Sequence, residues 1–187
     1  MSDVVYSDLQ LLGNTPSPSI FQCSEANEVA VELGGWKAYS MTGYRISWFA
    51  TRNVEIAAFW KRYKSNRDKG TPIPVQRAAL KALTDSTAVT QMQKNLLEYR
   101  ERAMLLKQGF TQFGLTVAGL QHTPFAWIKV TQGETSEGFA ERILHQASVL
   151  VIPGSYFSPA GEGCFRASIF QPKEKLRKAL EKIENVL

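Results

Sequence analysis

Cysteine and histidine are scarce in this 187-residue chain, which has two of each. Cys23 and Cys164 lie far apart, as do His122 and His145, and neither pair has metal-ligand spacing. That argues against a zinc site or a disulfide framework, and no metal is expected. No run of eighteen apolar residues occurs, so no segment reads as a membrane span. The opening MSDVVYSDL lacks the charged-then-apolar order of a secretory leader. Single-sign charge is lacking too. The net charge is only +5, and the basic stretches 61-KRYKSNRDK-69, 100-RERAMLLK-107 and 172-PKEKLRK-178 all carry acidic residues. These read as solvated helix faces rather than a nucleic-acid stripe. Internal repeats and low-complexity tracts are absent as well. The expectation is a cytoplasmic protein with no nucleic-acid or membrane partner.

What is present is a hydrophobic content of 44%, enough for a packed core. Val4 and Val5 read as the end of a buried strand, followed by the turn-rich loop 13-GNTPSPSI-20. The run 28-EVAVEL-33 reads as a buried parallel strand and 45-RISWFA-50 as another. Residues 52–64 read as a helix, 66–74 as a loop and 76–83 as a second helix. Asp85 or Ser86 then caps a long helix, whose apolar stripe is Val89, Met92, Leu96, Tyr99, Ala103, Leu106 and Phe110. After Gly114, strands at 125–130, 148–152 and 164–170 alternate with helices at about 135–146 and 173–187. The last helix puts Leu176, Leu180, Ile183 and Leu187 on one face. The class is α/β, closing in a small α+β lobe.

The stretch 33-LGGWKAYSMTGYR-45 raises the question of chemistry. An apolar strand runs into two glycines and then Lys37, with Arg45 eight residues on. Strand ends feeding tight turns are where α/β proteins keep their ligands. Asp3 precedes Tyr6 by three residues, and Arg166 interrupts the apolar strand CFRASIF. A strand arginine needs a partner that offsets its desolvation, and an anionic ligand is one such partner. A carboxylate, a phenol, an amine and two guanidiniums suit a cofactor with a cationic ring nitrogen, a phenolate, an aldehyde and a phosphate. Pyridoxal phosphate carries all four. Taken singly, Asp3 and Lys37 read as solvated surface residues.

Order and spacing join them. The pieces 3-DVVY-6, 37-KAYSMTGYR-45 and 153-PGSYFSPAGEGCFR-166 resemble class I/II aminotransferases of pyridoxal-phosphate fold type I. The nearest likeness is to the LL-diaminopimelate, succinyldiaminopimelate and aspartate branch. The resemblance implies the C-terminal half of that fold. Residues 1–86 would end the large cofactor-binding domain, 87–113 would form an inter-lobe helix, and 114–187 would form the small domain. It implies that Lys37 forms a Schiff base with the cofactor and then moves the substrate proton. By the same resemblance, Asp3 would pair with the ring nitrogen, Tyr6 would donate to the ring oxygen and Arg45 would bind the phosphate. Arg166 would grip the substrate α-carboxylate. Ser65 and Asn66 would sit in a loop that reaches the site across a homodimer interface. The substrates implied are an amino acid and a 2-oxo acid.

Three positions depart from the family pattern. Gly34 stands where a phosphate-binding serine is expected, Trp36 where a small residue is expected, and Ser47 where glycine is expected. A chain of about half the family's length also lacks the other half of the site. Two further readings therefore stand beside a working aminotransferase. One is a catalytically inactive remnant that binds a partner or dimerises. The other is a C–S lyase that uses the same lysine.

Overall fold

A computed structural model of the chain describes residues 1–130 and 133–187. It divides into two compact units, residues 1–10 with 14–96 and residues 11–13 with 97–187.

The first unit holds a three-stranded sheet of β1 (Ser2–Asp3), β2 (Glu32–Gly35) and β3 (Ser47–Ala50), in that order. β1 and β2 run parallel, whereas β2 and β3 are antiparallel. The strand expected at 28–33 starts later than its apolar pattern suggests. The Ala26 carbonyl accepts from the Val29 and Ala30 amides, which draws those residues into a turn and leaves Val29 74% exposed. Glu32 is buried instead, and its carboxylate accepts from the Ser19 hydroxyl at 2.7 Å and the Ile20 amide at 3.0 Å. Those two bonds tether the proline-rich loop, and they satisfy a charge that would otherwise be costly to bury.

α1 (Val54–Arg67) starts where the Asn53 side chain accepts from the amides of Glu55 and Ile56. It runs past the expected end at residue 64, so Ser65 and Asn66 lie on a helix and not in a loop. Both donate back to the Arg62 carbonyl, at 2.9 and 3.0 Å. α2 (Ile73–Thr84) begins earlier than expected because Pro74 sits in its first turn, where a missing N–H costs nothing. Ala79 and Ala82 of α2 pack with Met41 in a small core, joined by Trp36, Tyr39 and Ile46.

α3 (Ser86–Gln112) is capped by Asp85, whose carboxylate accepts from Thr87 and Ala88 at 2.9 and 3.1 Å. The expected stripe is the covered one. Val89, Met92, Leu96 and Tyr99 are half-buried, and Ala103, Leu106 and Phe110 are buried. The helix belongs to the first unit up to Leu96 and to the second from Leu97.

The second unit has an antiparallel sheet in the order β4 (Val117–Gly119), β5 (Phe125–Lys129), β7 (Cys164–Ser168), β6 (Ile152–Pro153). β4 has too short an apolar pattern to register in the sequence. α4 (Ser136–Ala147) and α5 (Lys173–Glu184) supply the remaining core. Phe165 stacks on Phe139 at 4.7 Å and meets Phe110 edge-on at 5.5 Å. Leu176, Leu180 and Ile183 of α5 are buried. Leu187 is not part of that face, because the helix ends at Glu184 and leaves it 43% exposed. Gly109 is required where α3 meets α5, since a Cβ there would lie 2.7 Å from the Leu180 side chain.

Candidate active site

β2 ends at Gly35 and releases the chain into the lysine-bearing loop. That loop carries two non-glycine residues in the left-handed region, Ser40 (φ 58°) and Arg45 (φ 54°). Each such residue costs about 1–2 kcal/mol, and strain of this kind clusters at functional sites. A short 3-10 turn at Thr42–Tyr44 ends on Arg45, after which β3 returns along β2 with Ser47 opposite Gly35. One hairpin therefore delivers Lys37, Arg45 and Ser47 to the same place.

They line a cavity of about 240 Å³ together with Asp3, Gly35 and Thr42. The Lys37 ammonium donates to the Tyr6 hydroxyl at 3.0 Å and lies 4.4 Å from the centre of that ring. Sequence separation between the two is large, so the contact fixes the Asp3–Tyr6 turn against the lysine loop. The Asp3 carboxylate accepts from the Val5 amide at 3.2 Å, which holds that turn. Asp3 and Arg45 are exposed, while Tyr6 and Lys37 are half-buried. Arg45 makes no ion pair among the described residues, so its guanidinium is free to meet an anion. Three of the five expected site residues, Asp3, Lys37 and Arg45, therefore line one cavity, and Tyr6 joins them through its bond to Lys37.

The fifth, Arg166, belongs to the second unit. On β7 it pairs with Trp127 of β5 on one side and Ile152 of β6 on the other. Its guanidinium lies 4.3 Å from the Phe125 ring and 4.5 Å from the Phe157 ring. Contact with two rings holds the fork and leaves its N–H groups for an acceptor. The desolvation expected for a strand arginine is thus met by aromatic faces, which the sequence did not reveal. Phe157 is placed by the turn after β6, where Gly154 and Gly161 come so close that neither admits a side chain. An added Cβ at Gly154 would meet the Gly161 carbonyl oxygen at 2.1 Å.

The departures have local causes. Gly34 faces Trp48 across the β2–β3 pair, and a Cβ at Gly34 would lie 2.0 Å from the indole. The space of the expected serine is filled. Trp36 packs against the Met41, Ala79 and Ala82 core and also lines the lysine cavity. Its indole nitrogen is buried with no partner among the described residues.

Comparison with known proteins decides the family. Aminotransferase class I and II matches residues 1–183. The chain belongs to that family. Among curated aminotransferases it is similar to the LL-diaminopimelate aminotransferase of Aquifex aeolicus, 36% identical over 186 residues, covering 99% of this chain and 47% of that protein. The enzyme of the same name from Moorella thermoacetica is 35% identical over 190 residues, with the same coverage, 99% and 47%. Among solved aminotransferase structures, the aromatic aminotransferase of Pyrococcus horikoshii superposes with a TM-score of 0.91 at 29% identity, covering 100% of this chain and 50% of that one. Aspartate aminotransferase of Thermus thermophilus with maleate gives 0.85 at 31% identity, covering 100% and 47%. The chain thus has an aminotransferase fold of the α/β class and spans about half the length of the curated relatives it matches.

Proposed function

We propose that this chain carries the lysine-bearing part of a pyridoxal-phosphate-dependent aminotransferase site, moving an amino group between an amino acid and a 2-oxo acid. The observation that carries this reading is the Lys37–Tyr6 contact at 3.0 Å beside a cavity that Asp3 and Arg45 also line. The donor set fits the cofactor. A carboxylate suits a cationic ring nitrogen, a phenol suits a ring oxygen, an amine suits an aldehyde, and a guanidinium suits a phosphate. When bound, the cofactor supplies an electron sink for the bonds at the substrate α-carbon.

The residues of the chain supply the rest. Asp3 would pair with the ring nitrogen and keep it protonated. Arg45 would bind the phosphate. Tyr6 anchors the Lys37 amine by their hydrogen bond and orients it over the cavity. The Lys37 amine would take the proton from the substrate α-carbon and deliver it to the cofactor's aldehyde carbon, the shift that amino-group transfer requires. Arg166, planar and held between two rings, takes the α-carboxylate through a bidentate contact.

The branch we favour is the diaminopimelate type, on the names of the two relatives. A homodimer and a cytoplasmic location complete the reading. A C–S lyase would use the same lysine and aspartate, and product analysis separates it from a transaminase. The second reading is a remnant without turnover. Its support is the filled space at Gly34.

The test is aldehyde trapping. The chain is incubated with pyridoxal phosphate, reduced with borohydride, digested and mapped by mass spectrometry. Label confined to Lys37 supports the proposal. Label spread evenly over surface lysines rejects it.

A further inference from the structure

We infer that Ser47 is a phosphate-binding residue of the site, supplying the hydroxyl that Gly34 cannot. This rests on the cofactor reading of the Lys37 cavity and deepens it.

The two positions lie on opposite faces of the β2–β3 pair. Gly34 pairs with Trp48, and Gly35 pairs with Ser47. Side chains alternate along a strand, and directly paired residues share a face. Ser47 therefore faces the same side as Gly35, whose missing side chain would lie 3.9 Å from Val5. Val5, Gly35 and Ser47 all line the cavity, together with Lys37 and Arg45. Trp48 and Gly34 do not line it. A serine at position 34 would meet the indole first, since its Cβ would sit 2.0 Å from that ring.

Ser47 is exposed, and its hydroxyl has no hydrogen-bond partner among the described residues. Thr42 is the other hydroxyl at the cavity, but it opens a 3-10 turn, whereas Ser47 is held in a paired strand. Groups on strands are placed with less play than groups on loops. Ser47 also lies two residues beyond Arg45, so the two would approach one anion from the same end of the hairpin. The hydroxyl donates, and an oxygen of the doubly charged phosphate group accepts. A bond of this class changes affinity by about ten- to a hundred-fold.

The experiment compares pyridoxal phosphate with pyridoxal, which lacks the phosphate, on the whole chain. Affinity is read from the absorbance change on titration, and occupancy of Lys37 from reduction and peptide mapping. Wild type, S47A, S47T and T42V are measured side by side. The expected result is a Kd for pyridoxal phosphate raised about ten-fold or more in S47A and recovered in S47T. Pyridoxal binding should stay the same in all of them. Equal weakening of both aldehydes in S47A overturns the assignment, because it marks a general disturbance of the cavity. A loss confined to T42V also overturns it and moves the donor to Thr42. Wild type that labels Lys37 with neither aldehyde refutes the cofactor reading itself, and this inference falls with it.

Discussion

The indole of Trp48 occupies the side-chain space of Gly34, with the nearest ring carbon 2.0 Å from where a Cβ would stand. The expected serine and the observed tryptophan exclude one another. G34S should therefore destabilise the chain by about 1–3 kcal/mol, the usual cost of overpacking. Combining it with W48A should recover part of that loss. Urea titration of the two single variants and the double variant measures the coupling, and strict additivity would show that the two positions do not compete.

The Lys37–Tyr6 bond makes a second prediction. Y6F keeps the ring against the lysine and removes only the acceptor oxygen. Lys37 should then label with pyridoxal phosphate several-fold more slowly, and K37A should remove the site-specific label altogether. Rates come from quenched time points mapped by mass spectrometry. An unchanged rate in Y6F would mean that the contact does not orient the amine.

Arg166 should act independently of Lys37 labelling. R166K keeps the charge but loses the planar fork and its fit between Phe125 and Phe157. Binding of a 2-oxo acid, followed by calorimetry, should weaken by about ten-fold or more, while the Lys37 label is retained. Equal 2-oxo acid binding in both proteins would remove Arg166 from the carboxylate role.

The turn that carries Phe157 depends on Gly154 and Gly161. A methyl group at Gly154 would meet a backbone oxygen, which cannot swing aside. G154A should lower the melting temperature by several degrees, at a cost of about 2 kcal/mol or more. G163A provides a contrast, since open space surrounds that position and only its φ of 76° opposes a side chain. The larger drop should belong to G154A.

Acid should act on the second unit through Glu162. Its carboxylate accepts from the Ser136 amide at 2.8 Å and from the Gly163 amide, which hold its pKa below the ordinary glutamate range. A carboxylate with a lowered folded-state pKa stabilises fully above its unfolded value. That stability is lost as the pH falls through the folded one. The melting temperature should thus fall on acidification below about pH 4.5, and the E162Q variant should show a shallower fall. Parallel pH curves for the two proteins would exclude Glu162 as a contributor.

Much of this site was legible because its signal is local. Lys37, Thr42, Gly43 and Arg45 sit in one short stretch, and Asp3 and Tyr6 in another. The α3 stripe was legible for the same reason, since helical spacing alone defines it. What escaped was decided by contacts between distant residues. The strand expected at 28–33 begins only at Glu32, with Val29 and Ala30 drawn to the Ala26 carbonyl, and its buried glutamate is explained only by Ser19 and Ile20. Gly34 looked like a simple loss until Trp48 was seen across the hairpin. The two aromatic faces around Arg166 come from two separate segments, and no spacing rule joins them to it.

α1 carries fourteen residues and none of them is buried, although Phe59, Trp60 and Tyr63 stack along it and Phe49 meets Trp60 at 4.8 Å. A helix of that length is marginal in water when no neighbour covers it. Its amide protons should exchange with deuterium well before those of α3, through an opening that spares the rest of the chain. None of its residues line the lysine cavity, so the hairpin bearing Lys37 would remain assembled while α1 unwinds and reforms.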